Sequence, residues 1–142
     1  MSANPMSLVP HLCVDDAEAA IAFYERAFGA RCTDRQSAPD GKRLIHAALS
    51  INGGEIMLHD EFPEYDGSVL SPKSRGGASV AINLNLPRAG EVDRTVAMAQ
   101  EAGAEIIMEP QDTFWGARYG RVRGPFGHVW ACNAPLGGSE ST

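Results

Sequence analysis

Leu8-Val-Pro-His-Leu-Cys-Val14, then Asp15-Asp16, then Ala17-Glu-Ala-Ala-Ile-Ala-Phe-Tyr-Glu-Arg-Ala-Phe-Gly-Ala30 is the stretch that decides the fold. Its first seven residues read as a strand. Asp15 or Asp16 then offers a carboxylate to the free N–H groups of a helix, with Glu18 three residues after Asp15 in capping-box spacing. Ala17, Ile21, Tyr24 and Phe28 fall at i, i+4, i+7 and i+11, one face of a helix that stops at Gly29. That face requires a sheet to cover it.

The pattern recurs. Ala78–Leu86 reads as a strand, and Val92, Val96, Ala99 and Gly103 repeat the helical spacing before Gly103-Ala104 closes it. The first helix is followed by strands at Arg31–Ser37, Arg43–Ile51 and Glu55–Asp60, separated by the turn signals Pro39-Asp-Gly41 and Asn52-Gly-Gly54. The second is followed by Glu105–Glu109, Tyr119–Gly124 and His128–Asn133. The order β-α-β-β-β thus occurs twice, predicting an α+β fold with helices over Asp16–Phe28 and Arg88–Gly103. One domain over 1–142 is expected: a first module over 8–60, a polar link over 61–77, a second module over 78–134 and a flexible tail over 135–142. Half a chain is too short to bury a sufficient core, so the halves are expected to share one, leaving a concave small-molecule site between them.

Composition narrows the function. With 142 residues, 44% hydrophobic and 21% charged, the chain has the profile of a globular protein. The small, polar ends, Met1–Pro5 and Gly137–Thr142, are expected to fray or to serve as arms. No basic leader with an apolar core opens the sequence, and no apolar run approaches the roughly 20 residues that span a bilayer, so a cytoplasmic protein without membrane contact is expected. Cys13, Cys32 and Cys132 show no CxxC spacing and read as buried thiols. A net charge of −6 argues against nucleic acid as a partner, which would require a basic face.

One basic cluster interrupts this acidity. Tyr119, Arg121 and Arg123 alternate on one strand face, with Arg118 just before them and Trp115 at the preceding turn. Guanidinium beside aromatic rings suits bidentate binding of a carboxylate or phosphate and stacking of a planar ring. The other reading is a solvated face paired with the acidic excess. Asp112-Thr-Phe-Trp-Gly116 is the candidate aromatic wall, or else a turn packed on the core.

The segments Val14-Asp-Asp16, Ala20-Ile-Ala-Phe-Tyr24, Phe28-Gly-Ala30, Asp60-Glu-Phe-Pro-Glu64, Ser71-Pro-Lys73, Phe114-Trp-Gly116, Arg118-Tyr-Gly-Arg-Val-Arg123 and Pro125-Phe-Gly-His128 resemble, in this order, the vicinal oxygen chelate superfamily. This superfamily includes glyoxalase I, extradiol dioxygenases and bleomycin-resistance proteins, and the resemblance is to its PhnB-like branch. It implies two βαβββ modules whose eight strands curve around a cleft, commonly within a homodimer. One such scaffold hosts isomerases, oxygenases, transferases and passive binders, so fold does not settle function.

In catalytic members the resemblance implies a histidine on the first strand of each half and a carboxylate, commonly glutamate, on the last strand of each half or only of the second. A divalent ion held this way keeps positions open for two substrate oxygens. His11 matches the first position, whereas Asn83 and Ala131 stand at the others. Glu55, Met57 and His59 alternate onto one face, so His59 is placed to approach His11. The expectation is a protein without a cofactor that binds a small apolar or aromatic molecule through His11, His59, Asn83, Trp115, Tyr119, Arg121 and Ala131. The alternative is a divalent-metal lyase, isomerase or dioxygenase using His11 and His59 with Asp60 or Glu55 as third ligand. His46 reads as a satisfied strand histidine, and His128 as a structural residue sharing a face with Trp130. PhnB-like sequences also resemble proteins labelled as ubiquinone-pathway methyltransferases, but no strand here leads into a glycine-rich turn suited to an adenosyl cofactor.

Overall fold

The computed structural model describes residues 8–137, and the expected frayed ends over Met1–Pro5 and beyond Gly137 lie outside that range. Asp16, in extended conformation at φ −157°, accepts a hydrogen bond from the Ala19 N–H at 3.1 Å and starts α1 (Ala17–Phe28). The Asp15–Glu18 capping box is not formed: Asp15 pairs with Lys73 at 3.1 Å, and Glu18 pairs with Arg35. Gly29 ends the helix at φ +69°, its N–H bonded to the Glu25 carbonyl.

Around α1 the first module places β1 (His11–Val14), β2 (Arg31–Ser37), β3 (Leu44–Ile51) and β4 (Gly54–Asp60) in the sheet order β1-β4-β3-β2. The second module repeats it with β5 (Ala81–Asn85), α3 (Ala89–Ala102), β6 (Glu105–Asp112), β7 (Ala117–Arg123) and β8 (Val129–Pro135), ordered β5-β8-β7-β6. In each sheet the first strand runs parallel to the last and forms an edge, while the other pairs are antiparallel.

Several boundaries differ from expectation, each for a local reason. β1 starts at His11 rather than Leu8, because Pro10 has no N–H for the ladder, although its carbonyl accepts from the Met57 N–H at 2.9 Å. β6 continues past Glu109 to Asp112 by taking Pro110 through a register shift on an edge strand. Gly120 lies opposite, where a Cβ would stand 3.3 Å from the Pro110 backbone. β8 reaches Pro135, and the Leu136 N–H bonds to the Gly116 carbonyl at 3.0 Å. The polar link contains a single helical turn, α2 (Pro72–Arg75), capped by the buried Ser71 side chain with Pro72 in the first turn.

The modules share one core within the chain. Ala17, Ala20, Ile21, Phe23, Tyr24 and Ala27 bury the inner face of α1, and Val92, Val96 and Ala99 that of α3. Tyr24 and Phe28 reach into the second module, where their rings lie 5.2 and 4.8 Å from that of the fully buried Trp130. Phe23 likewise meets Phe126 at 6.3 Å. Burying such a side chain contributes roughly 1.5–3 kcal/mol, so these contacts hold the halves together. Among the described residues no helix is long and apolar enough to cross a membrane.

Candidate functional site

Strand alternation leaves each sheet one face turned away from the buried core. On the first sheet the pairs His11↔Met57, Cys13↔His59 and Ala48↔Met57 put these side chains on that open face, while Leu12, Val14, Ile56 and Leu58 face the core. The ring centroids of His11 and His59 stand 4.8 Å apart, nearly perpendicular, and His46 lies 6.5 Å from His11 on the same face. His46 is therefore one of three clustered imidazoles as well as a strand histidine with a partner, its Nε2 lying 3.6 Å from an Asp34 oxygen. Burial, then the neighbouring His59 and His46, hold the His11 pKa below the usual imidazole range, so at neutral pH its ring is uncharged and offers one donor and one acceptor. Burial, and then the carboxylates of Glu61 and Asp60, push the Cys13 thiol up to about 11.

A groove of about 890 Å³ runs between the two edge strands β1 and β5. His11 and Cys13 line it from the first module, Asn83 and His128 from the second, and Val69 and Pro72 from the link. His128 was expected to act structurally beside Trp130, but β8 begins at Val129 and leaves His128 in the preceding turn, on the groove. Its Nδ1 is buried without a hydrogen-bond partner among the described residues, and burial lowers its pKa. The link is fixed over the groove. Ser71 and Ser74 donate to a Glu61 oxygen at 2.8 and 2.7 Å, and Pro72 packs where a Cβ on Gly127 would come within 2.5 Å.

The remaining candidates gather on the open face of the second sheet. Asn83, Ala131 and Arg121 are successive register partners across β5, β8 and β7, and Asn85, Asn133 and Tyr119 form the next row. The Tyr119 hydroxyl accepts from the Arg121 Nε at 2.8 Å, and the Trp115 ring lies 6.0 Å from Tyr119. Trp115 and Phe114, 58% and 97% exposed, do not pack in the core. The arginines separate by partner: Arg118 is held by Asp93 at 2.8 Å and Asp112 at 3.1 Å, and Arg123 by Glu105 at 2.8 Å. Arg121 alone of the three has no carboxylate partner among the described residues. Of these candidates on the second sheet only Asn83 also lines the groove; Trp115, Tyr119, Arg121 and Ala131 do not, and neither does His59.

The third metal ligand fails on geometry. Asp60 is 5% exposed, on the core side of β4, where it accepts from the Ala17 N–H at 2.9 Å and the Leu44 N–H at 2.7 Å. Glu55 shares the open face but stands four residues from His59 along β4, roughly 13 Å at strand rise. Among the described residues no group of three or more histidine, cysteine, aspartate or glutamate side chains is placed to hold an ion. The donor set present does not fit a three-ligand divalent site.

Comparison with known proteins agrees with this architecture. Mb0911c of Mycobacterium bovis is 46% identical over 131 residues, covering 92% of this chain and 84% of that protein. TioX from Micromonospora sp. ML1 superposes with a TM-score of 0.66 at 28% identity, covering 94% of this chain and 98% of that one. A PhnB protein from Bacillus cereus shares the fold at a TM-score of 0.68 and 17% identity, with 91% of this chain and 99% of that one covered. Residues 7–132 match the family model, which takes in the first sheet, both long helices and the second sheet as far as Cys132 on β8. With its paired βαβββ modules and the groove between them, the chain belongs to the Glyoxalase/Bleomycin resistance protein/Dioxygenase superfamily.

Proposed function

We propose that this protein binds a small apolar or aromatic molecule in the groove between its modules and does so without a catalytic metal. One observation carries the reading. The positions where a metal-dependent member would supply donors hold Asn83 and Ala131, while Asp60, the carboxylate next to His59 in the sequence, is committed to two backbone N–H groups. An uncharged His11 then serves as a hydrogen-bonding group beside apolar walls from Val69 and Pro72.

The test is a ligand screen by thermal shift, since a bound ligand raises the unfolding temperature with occupancy. Aromatic compounds are expected to stabilise the protein, and His11→Ala is expected to weaken their binding by about 0.5–1.5 kcal/mol without changing the ligand-free midpoint. A screen in which His11→Ala binds every hit as well as wild type contradicts the groove as the site.

The second reading, a divalent-metal lyase, isomerase or dioxygenase, rests on the 4.8 Å approach of His11 and His59. It demands metal-dependent turnover that His11→Ala abolishes. The proposal also includes a homodimer, because β1, β2, β5 and β6 are edge strands with open ladder groups. Light scattering at micromolar concentration should give twice the 15.1 kDa chain mass, and a monomer mass contradicts it.

A further inference from the structure

Ala131 and Arg121 are direct register partners on β8 and β7, and Ala131 faces Asn83 on its other side. With strands about 4.8 Å apart, Asn83 and Arg121 stand on either side of the small side chain of Ala131, which is 3% exposed between them. Arg121 has an incomplete set of partners. Its Nε is satisfied by the Tyr119 hydroxyl, which fixes the plane of the guanidinium, while the terminal Nη1 and Nη2 donors have no carboxylate among the described residues. Two acidic residues secure Arg118, and one secures Arg123, so of these three neighbouring arginines Arg121 is the one without a carboxylate partner among the described residues. Aromatic surface stands beside it: Tyr119 lies 5.8 Å below the guanidinium carbon, and Trp115 and Phe114 continue from Tyr119 at ring separations of 6.0 and 5.0 Å. A half-buried, oriented, unpaired guanidinium is the receptor for a planar oxyanion, and the exposed rings next to it are surfaces for a flat ring.

We infer that the open face of the second sheet takes an aromatic carboxylate, its carboxylate held end-on by Arg121 and its ring laid against Tyr119 and Trp115. These residues do not line the groove, so this is a second site that goes beyond the small-molecule reading above. An alanine at position 131 is part of the device: a carboxylate side chain there would neutralise Arg121 from the adjacent strand.

The experiment compares 2-naphthoate with its uncharged counterpart 2-naphthamide, by titration of tryptophan fluorescence, on wild type, Arg121→Met and Ala131→Glu. Wild type is expected to bind the carboxylate about tenfold or more tighter than the amide, the range set by a charge-assisted pair. Both variants are expected to lose that preference. Arg121→Met alters a half-exposed strand position and should keep the wild-type unfolding midpoint; if Ala131→Glu does not fold, the Arg121 comparison decides. Equal binding of the two probes to wild type overturns the inference and leaves aromatic binding standing. A preference that survives in Arg121→Met overturns it as well, as does failure of wild type to bind 2-naphthoate at all. Arg121-dependent carboxylate binding that ignores His11→Ala is the expected result, since His11 lines the groove and Arg121 does not, whereas loss of that binding in His11→Ala overturns the separate site.

Discussion

Asp60→Asn should destabilise the protein by about 2–4 kcal/mol, because it breaks a carboxylate that joins three elements without touching a ligand. One Asp60 oxygen accepts from the Ala17 N–H at the first turn of α1, and the other from the Leu44 N–H at the start of β3. The Ala17 N–H has no partner inside its own helix, so the carboxylate both satisfies it and complements the positive helix end. Asparagine retains one acceptor and aims an NH2 group at the other N–H, leaving two donors opposed in a site only 5% exposed. Each charge-assisted hydrogen bond is worth about 1.5–3 kcal/mol, and Asp60→Ala, losing both, should cost about 3–6 kcal/mol. A 142-residue protein has roughly 7–20 kcal/mol in all, so the asparagine variant still folds. Urea denaturation followed by the fluorescence of Trp130, which is fully buried, reads the change. At a slope of about 2 kcal/mol/M the asparagine midpoint should fall by roughly 1–2 M with the slope unchanged. A midpoint within about 0.3 M of wild type would refute the structural role, as would a loss of stability that chelator treatment of wild type reproduces.

Gly127 sits at φ +95° with its missing Cβ 2.5 Å from the Pro72 Cβ, whereas Gly29, at φ +69°, has open space around it. Gly29→Ala should cost about 1 kcal/mol from backbone conformation alone, and Gly127→Ala roughly 2–3 kcal/mol because it must also displace Pro72; equal costs in chemical denaturation would contradict the packing of the link. His11 and His128 both have lowered pKa values, so the unfolded chain binds more protons than the folded one as pH falls through about 6.5, and stability is lost in that direction. Thermal midpoints should drop between pH 7 and pH 5, and His11→Gln with His128→Gln should flatten that drop; an unchanged acid limb would contradict the assignment.

The helices were legible because their signals are local. Ala17, Ile21 and Tyr24 mark the buried face of α1, and Gly29 its end; α3 is legible from Val92, Val96 and Ala99 even though Arg88 at its N-cap makes no side-chain capping hydrogen bond. Ser71-Pro72 carried an equally local signal, a capping hydroxyl followed by a first-turn proline, for the short helix in the link. The approach of His59 to His11 followed from alternation once β4 was placed beside β1, but that parallel pairing is a long-range fact that spacing alone does not encode. The difference between Arg121 and its neighbours was not legible either, since Asp93 on α3 and Glu105 on β6 find Arg118 and Arg123 only after folding. The same holds for Asp60, which reads as a free carboxylate beside a histidine and becomes a buried acceptor because Ala17 and Leu44 converge on it.

The most direct test of metal-independent binding is the affinity of the two naphthalene probes for chelator-stripped protein and for the same protein resupplied with zinc, nickel, iron(II) or manganese. The account predicts the same Kd in every sample, with bound metal after gel filtration well below one equivalent. One equivalent of retained metal that His11→Ala releases, together with binding or turnover that appears only in the resupplied protein, would contradict it.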